Sequence, residues 1–105
     1  MGTFRRLEDI QVWQKARLLV KEVYVISVGG NLARDFELRN QVRRSVMSIM
    51  ANIAEGQGRR TDKDFAYFLN IFLGSVEETK SHLYLALDLE YTSQDAFNSL
   101  YEKLD

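Results

Sequence analysis

Gln41-Val42-Arg43-Arg44-Ser45-Val46-Met47-Ser48-Ile49-Met50-Ala51-Asn52-Ile53-Ala54-Glu55-Gly56 is the stretch on which the reading of the fold turns. A helix advances about 100° per residue, and that step sorts these residues into stripes. Leu38, Val42, Val46, Ile49 and Ile53 fall together as an apolar stripe. Gln41, Arg44, Ser48, Asn52 and Glu55 form a polar one. Arg39, Arg43, Met47, Met50 and Ala54 make a third, half apolar and half cationic. A surface helix needs a single apolar stripe. This helix is therefore expected to be contacted on more than one side.

The flanking sequence supplies its neighbours. Upstream, Trp13, Ala16, Val20, Val23, Tyr24 and Ser27 keep helical spacing, which predicts a first helix over Asp9–Ser27 ended by Gly29-Gly30-Asn31. The central helix begins near Arg34 or Asp35, with Asp35 and Glu37 suited to its positive end, and stops at Gly56-Gln57-Gly58. Thr61-Asp62-Lys63-Asp64 then reads as a capping box opening a third helix, Asp62 to Glu90. Its stripes are broad: Phe65, Leu69, Phe72, Val76, Thr79, Leu83 and Leu87 on one line, with Phe68, Ile71, Ser75, His82 and Ala86 beside it. Thr92-Ser93-Gln94-Asp95 caps a fourth helix carrying Phe97, Leu100, Tyr101 and Leu104, cut off at Asp105. An arm precedes them, with Phe4 and Leu7 available to dock it. No strand alternation or repeat interrupts the pattern. The expected fold is all-α, one domain over residues 1–105, an antiparallel up-down four-helix bundle whose fourth helix is truncated at the chain end. The surplus apolar surface on the second and third helices calls for a further burial partner.

Composition narrows the setting. The 105 residues include no cysteine and no proline. Disulfide and thiolate chemistry are thus excluded, and the strongest helix breaker is missing from every segment. A cytoplasmic location without membrane contact is expected, since no basic-then-apolar leader opens the chain and charges interrupt every apolar run. Net charge is −1, but residues 1–63 hold twelve Lys and Arg against seven Asp and Glu, and residues 64–105 hold two against eight. Such a split can draw an anionic partner to one surface or let the two halves pair.

Candidate chemistry is sparse. His82 is the single histidine, with Glu78 four residues before it and no second histidine to complete a helical metal site. Ser75 shares its face but sits seven residues away, roughly 10 Å along the axis and beyond nucleophile–base reach. Neither a metal nor an organic cofactor is expected, nor an enzymatic activity. Gly56-Gln57-Gly58 before a helix start can cradle a phosphate, yet it lacks the Lys-Ser/Thr ending of a P-loop, and a helix stop followed by a start explains the same glycines.

Four segments carry a resemblance. Gln41-Val42-Arg43-Arg44-Ser45, Ser48-Ile49-x-x-Asn52-Ile53-Ala54-Glu55-Gly56-x-Gly58-Arg59, Phe65-x-x-Phe68-Leu69 and Gly74-Ser75-x-x-Glu78 resemble the rRNA intervening-sequence protein family, a family of four-helix bundle proteins. So do Leu7-Glu8-Asp9-Ile10-Gln11-Val12-Trp13-Gln14-Lys15-Ala16 and Tyr24. Phe72-Leu73 departs from it, standing where smaller residues are expected. The resemblance implies a ring-shaped homopentamer. A similar pentameric fold serves diversity-generating retroelements as an accessory protein that binds nucleic acid and a reverse transcriptase.

Two functional readings follow. In the first, the oligomer is associated with RNA or DNA through Arg43, Arg44, Arg59, Arg60 and Lys63, because arginine's planar fork suits phosphate. In the second, it is a structural or protein-interaction scaffold in which Gln41, Asn52, Glu55, Ser75 and Glu78 serve a polar network or an interface. An acidic overall balance, with a pI near 5.8, weighs against general RNA affinity.

Overall fold

Amphipathic periodicity becomes helix along most of the chain. The computed structural model describes residues 6–59 and 61–105, so the Phe4 part of the expected arm and Arg60 lie outside the described residues. A 3-10 turn at Leu7–Asp9 leads into α1 (Gln11–Ser27), α2 (Gly30–Arg34), α3 (Phe36–Gln57), α4 (Asp62–Asp88) and α5 (Gln94–Leu104). The architecture is all-α, with no strand among the described residues and with five α-helices where four were expected.

The extra helix is α2. Gly29 and Gly30 do end α1, and Gly30 adopts a φ of +68°, but the chain then coils for five residues instead of looping. The reason is Leu32, which is 1% exposed and packs with Leu38 and Ala86 in a small cluster that Ile26 and Tyr91 cover. Five residues are too few for a periodic signal, so this burial was invisible to pattern reading. The central helix stops within Gly56-Gln57-Gly58 as expected, at Gln57 with Gly58 as its C-cap. Gly56 itself is still helical, and a Cβ there would sit 3.4 Å from the Phe68 Cβ, so its bare backbone serves close packing against α4.

Local chemistry sets the remaining ends. The Asp35 carboxylate accepts from the Leu38 N–H at 3.1 Å and caps α3, while the Thr61 hydroxyl accepts from the Asp64 N–H at 3.1 Å and caps α4. Ser93 caps α5 in the same way through the Ala96 N–H. At the far end of α4, the Tyr91 N–H donates to the Ala86 carbonyl and the Glu90 N–H to that of Leu87, the paired bonds of a Schellman motif. Its left-handed position is filled by Glu90 at φ 59°, not by a glycine.

α3 and α4 form the most extensive helix pair, with α1 against α3 and α5 against α4 and α1. Residue numbers fall on one helix as they rise on its neighbour: Ser45 meets Thr79, Ser48 meets Ser75 and Gly56 meets Phe68. Likewise Tyr24 meets Met47 and Ser27 meets Arg43, and Lys80 meets Asp105 and Tyr84 meets Tyr101. The main core is built from Ala16, Leu19 and Val23 of α1, Val42, Val46 and Ile49 of α3, Leu83 of α4, and Phe97, Leu100 and Leu104 of α5. Each of the larger side chains among them, Ala16 apart, contributes on the order of 1.5–3 kcal/mol relative to exposure. The molecule is a rod of 49 × 23 × 20 Å, because α4 runs for 27 residues, about 40 Å, while α5 has only 11.

Candidate assembly and nucleic-acid interface

A seam of short hydroxyl side chains joins α3 to α4. Ser48 Oγ lies 2.8 Å from Ser75 Oγ, and Thr79 Oγ1 lies 2.8 Å from Ser45 Oγ. Asn52 Nδ2 donates to the Ser48 carbonyl at 2.8 Å and to its hydroxyl at 3.1 Å. Thr79 and Ser45 are almost completely enclosed, so these bonds satisfy groups that water cannot reach. Asn52 and Ser75, grouped in the sequence as network residues, thus meet through Ser48. Ser45 and Thr79 were missed as a polar pair, because Thr79 falls on an apolar stripe where a threonine reads as filler.

Burial distributes the cations differently from any single basic face. Arg43 Nε donates to Ser27 Oγ at 2.7 Å and its Nη2 to the Ser27 carbonyl at 3.2 Å, with the guanidinium 4.5 Å from the Tyr24 ring centroid. It therefore neutralises the negative end of α1. Arg59 pairs with Glu55 at 2.9 Å and lies over the Phe68 ring at 4.7 Å, so Glu55 is turned towards the loop. Arg44 and Lys63 are exposed and make no ion pair among the described residues. They stand at the middle of α3 and the first turn of α4, which lie far apart along the rod. Gln41 and Glu78 flank the α3/α4 seam, and neither makes a side-chain hydrogen bond among the described residues.

Other titratable groups are structural. Tyr91 donates to the second Asp35 oxygen at 3.1 Å, and that bond, with burial, holds its phenol above the usual tyrosine value. His82 is half-buried, with Nε2 closed to solvent and unpartnered. No group of three or more His, Cys, Asp or Glu able to hold a metal ion occurs among the described residues, and no described helix is long and apolar enough to cross a membrane.

Three open grooves mark the surface. One of about 400 Å³ runs between α1 and α5 past Leu18, Val25, Ile26 and Leu100. A second, of about 210 Å³, lies where α3 ends and α4 starts, lined by Ile53, Phe65, Phe68, Leu69 and Phe72. The third, about 430 Å³, is shared by Gln41 of α3 and His82 and Leu85 of α4. Around them α4 alone exposes Phe65, Tyr67, Leu69, Leu73, Tyr84 and Leu85, each at 40% or more. Isolated exposed apolar residues are ordinary, whereas such a density on one helix is unusual for a surface facing water.

An all-helical rod with a polar seam between its two longest helices and apolar surface left open defines an all-α helical domain by class. The chain belongs to the 23S rRNA-intervening sequence protein family, whose model matches residues 8–105. It is also similar to a solved protein of unknown function from the S23 ribosomal protein family of Bacteroides thetaiotaomicron. The two share 29% identity and a TM-score of 0.79, over 89% of this chain and 87% of that one. No curated protein matches the sequence.

Proposed function

We propose that this protein is a non-enzymatic, self-assembling scaffold that works in the cytoplasm. In this reading α1, α3, α4 and α5 make an antiparallel up-down four-helix bundle, and copies of it close into a homopentamer. The reverse order of the cross-helix pairs supports the bundle, and the family resemblance supports the number. The observation that carries self-assembly is the exposed apolar set of α4, with Phe65 at 51%, Tyr67 at 61% and Leu73 at 51%. A helix that packed only within its own chain would gain by turning such residues inward.

Nucleic-acid association has less behind it. Of the proposed cations among the described residues, Arg43 caps α1 and Arg59 is held by Glu55 and Phe68, which leaves Arg44 and Lys63 far apart. Phosphate binding gains from several cations converging on one track. The family's name ties it to 23S rRNA, so RNA remains the natural ligand to challenge the scaffold with. The test is the melting temperature over a hundredfold range of protein concentration. Assembly coupled to folding raises it as concentration rises. A melting temperature independent of concentration, together with salt-sensitive RNA binding, would replace the scaffold by a nucleic-acid-binding monomer.

A further inference from the structure

We propose that the outward side of α1, with the groove between α1 and α5, receives an amphipathic helix of another polypeptide. That helix carries aliphatic side chains at alternating steps of three and four, and a carboxylate opposite Lys21. The site goes beyond the scaffold reading and needs only one copy of the chain.

α1 has two apolar sides. The inner one buries Ala16, Leu19, Val23 and Ser27. On the outer one Leu18, Lys21, Val25 and Val28 follow at steps of three and four, the spacing of a coiled-coil seam. Steps of 100° place them opposite Ala16, Val23 and Ser27. Leu18, Val25 and Val28 are 54%, 62% and 70% exposed, and Lys21 is exposed between them. A helix that packs on one side needs only its inner stripe, so the outer one is surplus. It is also separate from the exposed set of α4 that carries self-assembly.

Beside this seam the surface is already hollowed. The groove of about 400 Å³ has Leu18 and Val25 of α1 along one wall and Ala96 and Ser99 of α5 along the other, with the buried Leu100 beneath. Ala96 and Ser99 are small and three residues apart, so they share a side of α5 and let a third helix approach. An aliphatic side chain of that helix enters the groove as a knob enters a hole. Laying an apolar helix face into such a groove is a recurrent way of recognising a polypeptide.

Charge selects the occupant. Lys15, Arg17 and Lys21 are exposed on α1 and pair with no carboxylate among the described residues. The one acid of α1, Glu22, is held by Lys103 of α5 at 3.1 Å. Asp95 and Glu102 lie about a quarter-turn round α5 from the line of Ala96 and Lys103, off the groove. The outward side is thus cationic, and Lys21 stands within the apolar seam, where a charge decides which partner is accepted. A carboxylate across from it is attracted and an ammonium repelled. A second α1 laid there in parallel register would set Lys21 against Lys21. A nucleic-acid backbone would meet the lysine but leave Leu18, Val25 and Val28 in water.

Two synthetic peptides of about three heptads test this on the full chain, with Leu at every seam position except a central one. That position holds Glu in one peptide and Lys in the other. Fluorescence anisotropy at nanomolar labelled peptide gives the affinities, circular dichroism verifies helicity, and light scattering gives the mass of each protein. Wild type should bind the Glu peptide saturably and at least tenfold more tightly than the Lys peptide. Lys21→Glu should invert that preference, and Val25→Asp should abolish binding of both at unchanged helicity and mass. Equal affinity for the two peptides, or saturable binding of neither, would overturn the proposal. A preference unchanged in Lys21→Glu would overturn the role of Lys21. A mass altered by Val25→Asp would assign the seam to contacts between copies instead. Binding of a labelled RNA but of neither peptide, lost in Lys21→Glu, would assign it to nucleic acid. A monomeric wild type that binds the Glu peptide would overturn self-assembly and leave this site standing.

Discussion

Removing the Thr79 hydroxyl probes the α3/α4 seam directly. Thr79→Val keeps the shape of a side chain that is 0% exposed and deletes the oxygen 2.8 Å from Ser45 Oγ and from the Ser75 carbonyl. The Ser75 carbonyl still accepts the helical N–H of residue 79, so no acceptor is orphaned. Ser45 keeps an acceptor in the Val42 carbonyl at 3.2 Å. The loss is thus one net hydrogen bond, about 1 kcal/mol, without the larger penalty of a stranded buried group. Ser45→Ala removes the same bond from the other side. The two together should cost well under the sum of the singles, with a coupling of about 0.5–1.5 kcal/mol. Each single variant should lower the melting temperature by about 4–8 °C at one fixed protein concentration. Strictly additive losses in urea denaturation would show that the 2.8 Å contact does not stabilise the helix pair.

Three further outcomes follow from other contacts. Glu90→Gly should raise stability by about 1 kcal/mol, because it relieves a non-glycine residue held at φ 59°; an unchanged denaturation midpoint would mean the turn carries no strain. Arg43→Ala should cost about 1–2 kcal/mol by stripping the Ser27 carbonyl and hydroxyl of a charged donor, while Arg44→Ala should stay within about 0.5 kcal/mol; equal thermal shifts for the two would contradict the distinction. Asp35→Ala should cost about 1 kcal/mol through the lost cap and return the Tyr91 phenol towards its ordinary value. The fold favours protonated Tyr91, so its contribution is complete below pH 10 and fades as pH rises through the raised value; ultraviolet titration of the phenols in wild type and variant checks this.

Helix positions were legible because every long helix buries one stripe at a regular period. Val42, Val46 and Ile49 were expected in the core on that ground, and all three are buried. The caps at Thr61 and within Thr92-Ser93 were legible because a short polar side chain before an apolar run has one economical use, whereas Asp35 was placed at the positive end of its helix without its capping bond to the Leu38 N–H. Leu32 was not, since a five-residue helix shows no period. The different roles of adjacent arginines were hidden too. Arg43 and Arg44 look alike in sequence, and only the arrival of Ser27 and Tyr24 from α1 binds the first and leaves the second exposed. A polar pair such as Ser45 and Thr79 needs both helices in register before its meaning appears.

The central claim, that the exposed apolar surface of α4 is buried between copies, is tested most directly by the mass of the wild-type protein. Light scattering coupled to size exclusion at micromolar concentration should return about five times the 12.2 kDa chain mass. A single species at 12.2 kDa, unchanged on concentration, would contradict it.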